Sequence, residues 1–244
     1  GGGNTAVGNG AAISNLLASN NVAIGESALV NNQNAGRNTA VGASAMLNFN
    51  FTNGGASYNT NNTAIGRASF VNLNGTTNSN ANDNVAIGVN SGFHATTNTG
   101  CTYLGTSTTD ATTGYINGTA LGYNCTLDAS NRVRLGGSGV TSVGGPVAYT
   151  NFSDMRFKHH VSNEVVGIEL IKKLKPITYQ FDYAALDKFY NRPDSITKNI
   201  NYDEANNMTQ IGFMAQDVEN LCKELNFDFG AVDRPSDTKS GIYG

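Results

Sequence analysis

The chain has 244 residues, with 15 Lys and Arg against 18 Asp and Glu, and a formal net charge of −3. No basic stripe runs through its first half, which argues against nucleic-acid binding because phosphate contacts need clustered Lys and Arg. No apolar run approaches the roughly 20 residues that span a bilayer, so we expect no membrane insertion.

Seven copies of one five-residue phrase run through the first half of the chain. They read NTAVG, NVAIG, NTAVG, NTAIG, NVAIG, CTYLG and GTALG, and they end at Gly8, Gly25, Gly42, Gly66, Gly88, Gly105 and Gly122. Successive glycines are 17 residues apart, except for two gaps of 24 and 22 residues. A nearly fixed period predicts one structural unit that is stacked many times.

Each phrase has the alternation of a short strand, and its glycine marks a turn or the close approach of another backbone. A 17-residue unit buries about four or five aliphatic side chains at roughly 1.5–3 kcal/mol each, against an ordering cost of about 1–2 kcal/mol per residue. The unit must therefore pack against neighbours. The small residues inside the phrases suggest close approach of several chains around an axis, as in a homotrimer; these are Ala6, Ala23, Ala40, Ala64 and Ala86.

The two longer gaps contain insertions, at residues 48–59 and 72–83. Insertions in repeat proteins map to outer loops that often carry binding. Phe49, Phe51 and Tyr58 make the first insertion a candidate receptor-contact loop. The alternative is that its aromatic side chains fold inward.

The three cysteines show neither a CxxC motif nor metal-ligand spacing. Cys101 and Cys125 lie on successive repeats and could be stacked neighbours. We expect buried free thiols rather than a disulfide. We also expect no metal site and no cofactor.

A change in charge marks a domain boundary near residue 150. Only eight charged side chains lie in residues 1–150, and the first lysine of the chain is Lys158. RVRL at residues 132–135 predicts a last short strand, and the Gly- and Ser-rich segment after it predicts a connector or a thin end of the fibre. We therefore divide the chain into a β-repeat fibre at 1–135, a connector at 136–150 and a second domain at 151–244.

The second domain has the pattern of a small α+β fold. Its first predicted helix, at residues 163–174, carries Val165, Ile168 and Ile171 at steps of three. The remaining predicted elements are a half-buried strand at 177–183, a polar loop at 184–209, a strand at 210–214 and a helix at 215–226.

Ser153 and Lys158, in the segment SDMRFK, are the candidate catalytic pair. A lysine serves as general base for a serine when its pKa is lowered, and a nearby cation such as Arg156 would help to lower it. A spacing of five fits neither one face of a helix nor one face of a strand. The pair therefore needs a turn, or a lysine from a neighbouring chain.

Three ordered motifs carry a resemblance to a known family. They are Ser-Asp-x-Arg-x-Lys at 153–158, Leu-Lys-Pro-Ile-x-Tyr at 174–179 and Gly-Phe-x-Ala-Gln-Asp at 212–217. Together they resemble the C-terminal intramolecular chaperone domain of phage endosialidases, tail spikes and neck appendage proteins, a self-cleaving serine peptidase family. The repeats are similar to the head repeats of trimeric autotransporter adhesins and to fibres that precede this chaperone.

The resemblance implies that the domain drives trimerisation, then cuts its own chain once, beside Ser153, and leaves. Ser153 would be the nucleophile, Lys158 the general base, and the carbonyl of Phe152 the simpler target. In this family the domain ends in a long coiled-coil helix, and we expect that helix to be missing from residues 151–244. The motif residues expected to support the site are Asp154, Arg156, Gly212, Phe213, Gln216 and Asp217.

We therefore expect a repetitive all-β trimeric fibre followed by a small α+β chaperone domain, in a viral tail or appendage that contacts a host receptor or glycan. The alternative is a bacterial cell-surface adhesin with a C-terminal trimerisation cap that never cuts. A glycan-cleaving tail spike is disfavoured because it needs paired carboxylates in a cleft. The acids of the repeats lie on different rungs; they are Glu26, Asp83, Asp110 and Asp128.

Overall fold

The computed structural model describes residues 1–50, 55–75, 80–146, 149, 151, 153–161, 163, 165–192, 194–198, 200–228, 230, 232, 234 and 243. In this part of the chain, short and mostly parallel strands fill the first half and a few helices follow near the C-terminus. No helix within it is long and apolar enough to cross a membrane.

Twelve short strands precede residue 136 within the described part of the chain. In chain order they are β1 Thr5–Val7, β2 Val22–Ile24, β3 Ala35–Gly36, β4 Thr39–Val41, β5 Tyr58–Asn59, β6 Thr63–Ile65, β7 Val85–Ile87, β8 Thr102–Leu104, β9 Thr109–Asp110, β10 Thr119–Leu121, β11 Thr126–Leu127 and β12 Val133–Leu135. Eight of them form one parallel sheet in the order β1-β2-β4-β6-β7-β8-β10-β12. Each phrase is thus one rung of a stack, and β12 confirms the predicted last strand as an eighth rung.

Equivalent positions of the phrases lie side by side across the sheet. Ala23 pairs with Ala40, and Ala64 pairs with Ala86, in strict register. These four alanines are fully buried inside the stack of a single chain, where they pack with large loop side chains such as Phe70. The expectation that they mark the approach of several chains is therefore wrong, since they face the core of their own chain.

The phrase glycines stack directly on one another, as predicted. Gly66 has φ +127°, and a Cβ on it would lie 2.5 Å from the carbonyl oxygen of Gly88 on the next rung. Both the backbone conformation and the available space therefore require glycine.

A ladder of asparagine side chains runs beside the glycine column. The side-chain oxygen of Asn21 accepts a hydrogen bond from the backbone N–H of Asn38 at 2.8 Å, and that of Asn62 accepts from Asn84 at 3.0 Å. These side chains are buried, so each satisfies a backbone donor that water cannot reach. Asn opens five of the seven phrases, but their sequence alone does not indicate that these side chains form a ladder.

The second half of the chain contains five short helices and an antiparallel strand pair within its described residues. They are α1 Gly167–Lys173, β13 Ile177–Tyr179, α2 Tyr183–Phe189, α3 Asp194–Thr197, α4 Asp203–Asn206, β14 Gln210–Gly212 and α5 Ala215–Glu224. The order helix, strand, strand, helix is confirmed. The predicted loop at 184–209 is wrong, because Asp182 caps α2 by accepting from the N–H of Ala185 at 2.9 Å and ends the strand early.

The two halves differ in how they bury apolar side chains. Most buried hydrophobic residues lie in the stack, whereas the second half contributes Leu170, Ala205 and Cys222 among the described residues. The predicted stripe of α1 is exposed, since Ile168 and Ile171 are each 62% accessible.

The three cysteines are buried free thiols, as predicted. Burial raises the pKa of the Cys101 and Cys125 thiols.

Candidate functional site

The first motif folds into a single 3₁₀ turn at Met155–Phe157. Asp154 precedes this turn and accepts a hydrogen bond from the backbone N–H of Arg156 at 2.9 Å. The turn brings Lys158 back toward Ser153, and its Nζ donates to the Ser153 Oγ at 2.7 Å. The turn that the five-residue spacing requires is therefore present within one chain.

Asp154 and Arg156 form a close ion pair beside this turn. The Arg156 Nη2 lies 2.6 Å from the Asp154 Oδ2, and the Nε donates to the same carboxylate at 3.0 Å. The hydrogen bonds from Arg156 hold the pKa of Asp154 below its usual range. Arg156 therefore braces the turn through Asp154, and its expected help in activating Lys158 stays a prediction.

The second and third motifs meet each other in the strand pair and in the groove beside it. Ile177 of β13 pairs with Gly212 of β14. Leu174, Phe213 and Asp217 line one groove between α1 and α5. Gln216 is exposed in the first turn of α5.

Among the described residues, no hydrogen bond or ion pair joins this groove to Ser153 or Lys158. Phe152, whose carbonyl is the candidate target of Ser153, lies outside the described residues. The catalytic assignments of Ser153 and Lys158 therefore stay predictions.

The candidate receptor-contact loop is only partly described. Phe49 is fully buried in the core of the stack, so its side chain is withdrawn from any contact surface, and that assignment is corrected. Tyr58 is half-buried in β5, with its hydroxyl 3.4 Å from the Asn82 Nδ2. Phe51 lies outside the described residues. Receptor contact through Tyr58 stays a prediction.

Residues 153–226 match the model of a protein family described as the chaperone of endosialidase. That match supports a chaperone domain in the C-terminal part of this chain. The matched segment starts at Ser153 itself and ends just after α5. No curated protein and no solved structure matches the chain.

A buried polar cluster inside the stack was not expected. The Tyr103 hydroxyl donates to the Asp110 Oδ1 at 2.6 Å, and the Asn98 Nδ2 donates to the Oδ2 at 2.9 Å. Burial raises the pKa of Asp110 to about 7, although both hydrogen bonds act in the opposite direction. From the sequence alone Asp110 is one isolated acid of the repeats, since no local pattern links it to Asn98 and Tyr103.

Proposed function

We propose that the protein is a homotrimeric fibre of a viral tail or appendage, whose C-terminal domain directs trimer assembly and then cleaves itself off beside Ser153. The match of residues 153–226 to the chaperone of endosialidase supports the assembly role. The contact between Lys158 and Ser153 carries the proposal of self-cleavage.

Exposed apolar side chains on the C-terminal domain support assembly with other copies. Ile171 on α1 is 62% accessible, Ile211 on β14 is 79% accessible and Phe213 is 47% accessible. A folded monomer rarely exposes so much apolar surface. A two-stranded sheet is also marginal by itself, and the described part of the domain buries few hydrophobic residues. Copies of the chain that cover these residues would supply the missing core.

The outer face of the large sheet offers a second surface for association. The third residue of each strand is aliphatic and aligned with its neighbours, so that Ile65 lies beside Ile87 and Ile87 beside Leu104. These three side chains are 39%, 37% and 46% accessible in a single chain. A continuous apolar column of this kind fits the same column of another copy, as a symmetric assembly requires.

The proposed cleavage needs only groups that this chain provides, together with water. The Ser153 Oγ attacks the carbonyl carbon of Phe152 while neutral Lys158 takes the hydroxyl proton. The C–N bond breaks as the Ser153 nitrogen receives that proton, which leaves an ester between Phe152 and the serine oxygen. Water then hydrolyses the ester, giving a carboxylate on Phe152 and a new amino terminus on Ser153.

Intact mass and denaturing gels of the purified protein test this proposal. We expect two fragments that divide between Phe152 and Ser153, and a single chain for Ser153→Ala. Lys158→Arg keeps the positive charge but provides no base near neutral pH, so it also leaves one chain. Lys188→Arg, on exposed α2, is the matched control and cleaves like the unmodified protein. One intact chain in every sample would overturn self-cleavage and favour a retained trimerisation cap.

A further inference from the structure

The last rung of the stack differs from the inner rungs at the strand position that faces the core. On inner rungs this middle residue is fully buried, as it is for Ala86 and Ala120. On β12 the position is held by Arg134, which pairs in register with Ala120. β12 also ends the strand order of the sheet, so its outer edge has no neighbouring strand among the described residues. The core column therefore finishes on a guanidinium group at an open strand edge.

A buried carboxylate holds this guanidinium group in place across the open end of the stack. The Arg134 Nε donates to the Asp128 Oδ1 at 2.9 Å, and the Arg134 Nη2 lies 2.5 Å from the Oδ2. The Arg132 Nη1 lies 3.3 Å from the same carboxylate, and the Asp128 side chain is fully buried. Asp128 directly follows β11, in the two-stranded sheet that β11 forms with β9. The cluster therefore links the last strands of both sheets.

Charge is concentrated at this end of the stack. Three of the eight charged side chains in residues 1–150 belong to the cluster. Burial acts to raise the pKa of Asp128, but hydrogen bonding and charge from Arg134 and charge from Arg132 outweigh it, so that the pKa is lowered. The carboxylate is therefore ionised at neutral pH, and two arginines against one aspartate leave a positive charge in excess.

The C-terminal domain covers this end of the stack while it is attached. The Tyr190 hydroxyl donates to the Asp128 carboxylate at 3.2 Å, and Arg192 donates to the carbonyl oxygen of Asn124. These contacts are lost when the domain leaves, whereas those of Asp128 with the two arginines lie within the stack and remain. An uncovered strand edge is a template for pairing with another chain, and the end repeats of stacked proteins need a polar outer face.

We infer that Asp128, Arg132 and Arg134 form a charged end cap, which closes the stack after the C-terminal domain has left and prevents the edge of β12 from pairing with the stack of another copy. A further strand on β12 would lie about 4.8 Å beyond it, with its middle residue over Arg134. That strand would bury the ion pairs and their excess charge away from water, which is strongly unfavourable. The inference rests on the proposed release of the domain but does not require self-cleavage at Ser153.

Removal of the domain with an added protease tests the end cap independently of self-cleavage. All samples carry Ser153→Ala and a protease recognition sequence between Gly144 and Gly145, which are exposed and whose Cβ positions would meet nothing within 4 Å. Light scattering coupled to size-exclusion chromatography measures the mass of the stack fragment after digestion. For the otherwise unmodified chain, we expect that mass not to rise with concentration.

The decisive variant combines Asp128→Ala with Arg134→Ala, which gives the last rung the residues of the preceding rung, Ala111 and Ala120. We expect its digested stack to associate end to end, with a mass at least about twofold higher. The undigested variant should keep the mass of the unmodified chain, because the domain still covers the edge.

Glu26→Ala combined with Arg37→Ala is the matched control, since it also removes one acid and one base, from exposed positions on inner rungs. Its digested stack should behave like that of the unmodified chain. Association of the unmodified stack once the domain has left, or no rise in mass for the double alanine variant of the cap, would overturn the inference. A C-terminal fragment that stays with the unmodified stack after digestion would instead contradict the proposed release, and the need for a cap with it.

A milder variant keeps the test decisive if the double alanine variant fails to fold. Arg134→Gln removes the excess charge but keeps a donor group for Asp128, which also retains Arg132. We expect the mass of its digested stack to rise by at least about half as concentration increases, whereas Arg134→Lys, which keeps the charge, should show no rise. Equal masses for Arg134→Gln and the unmodified stack would contradict the end cap.

Discussion

The repeat stack and the C-terminal domain differ in how they bury their apolar side chains. Each inner rung of the stack is covered by rungs of the same chain, and the middle residue of its strand is fully buried. The C-terminal domain leaves the apolar stripe of α1 open to solvent. One region buries its core within a single chain, whereas the other leaves apolar side chains exposed for the further copies that we propose. That division suits a domain that gathers chains and a stack that stays folded afterwards.

The strongest test of this difference between the two regions introduces a charge into the exposed apolar stripe of α1. Ile171→Asp would place a carboxylate in each copy of an apolar interface, and we expect trimer affinity to fall at least about 1000-fold because buried unpaired charges are so unfavourable. Lys172→Asp, on the same helix and exposed, should remain trimeric. Light scattering coupled to chromatography measures the mass. An unchanged trimer for Ile171→Asp would remove α1 from the interface.

Within the stack, the glycine column should be the most sensitive feature. Gly66→Ala places a Cβ 2.5 Å from the backbone of the next rung at φ +127°, and we expect a loss of about 5 kcal/mol in unfolding free energy. Gly55→Ala is the control, since φ is +85° there but its Cβ would meet nothing within 4 Å. Denaturant unfolding compares the two. Similar losses would mean that backbone strain, and not contact between rungs, requires glycine.

The next largest loss of stability is expected when the asparagine ladder is interrupted. Asn62→Ala removes the acceptor for the N–H of Asn84 and the donor to the Ala81 carbonyl at 2.7 Å, leaving two buried backbone groups unpaired. At about 1–3 kcal/mol for each such group, we expect a loss of roughly 3 kcal/mol. Asn48→Ala, at an exposed position, should change stability by less than about 0.5 kcal/mol. Equal losses of stability in the two variants would indicate that water replaces the hydrogen bonds of the ladder.

The smallest expected effect is a pH dependence confined to the stack. The pKa of Asp110 is about 7 in the folded chain against an ordinary value of 3.8, so only the folded state holds this proton between those values. Stability should therefore fall as pH rises from 5 to 8, by between about 2 and 3 kcal/mol from this group. The titratable groups around Asp110 are Tyr103, Cys101, Tyr115 and His94, whose ring contacts the Asp110 carbonyl.

Asp110→Asn cannot gain or lose this proton, so it should abolish that slope. Unfolding midpoints measured at pH 5 and pH 8 in both proteins provide the comparison. A slope that persists in Asp110→Asn would assign it to another group.

The features of the stack that could be predicted from the sequence depend on local repetition. The rung period, the place of each strand and the need for glycine could all be derived from one phrase, because in-register stacking repeats the same contact. The sides of that sheet could not be assigned: alternation separates Ala64 from Ile65, but it does not say which side meets the chain's own loops.

In the candidate site, the residue types and the need for a turn were predictable, and the turn at Met155–Phe157 supplies it. The contacts between the C-terminal domain and the stack were not predictable, since Arg192 and Asn124 lie 68 residues apart and share no pattern. Likewise, the short helices between residues 183 and 206 depend on a cap at Asp182 and on packing rather than on a strong apolar period.

Because the glycine and asparagine columns run side by side, they restrict how the repeat stack can change in length. The 24- and 22-residue spacings leave both columns aligned, so extra residues are accepted between phrases. One residue added inside a phrase would move either its Asn or its Gly out of line. The stack can therefore lengthen or shorten only by whole rungs, in steps of about 4.8 Å, and its eight rungs extend about 34 Å along the axis.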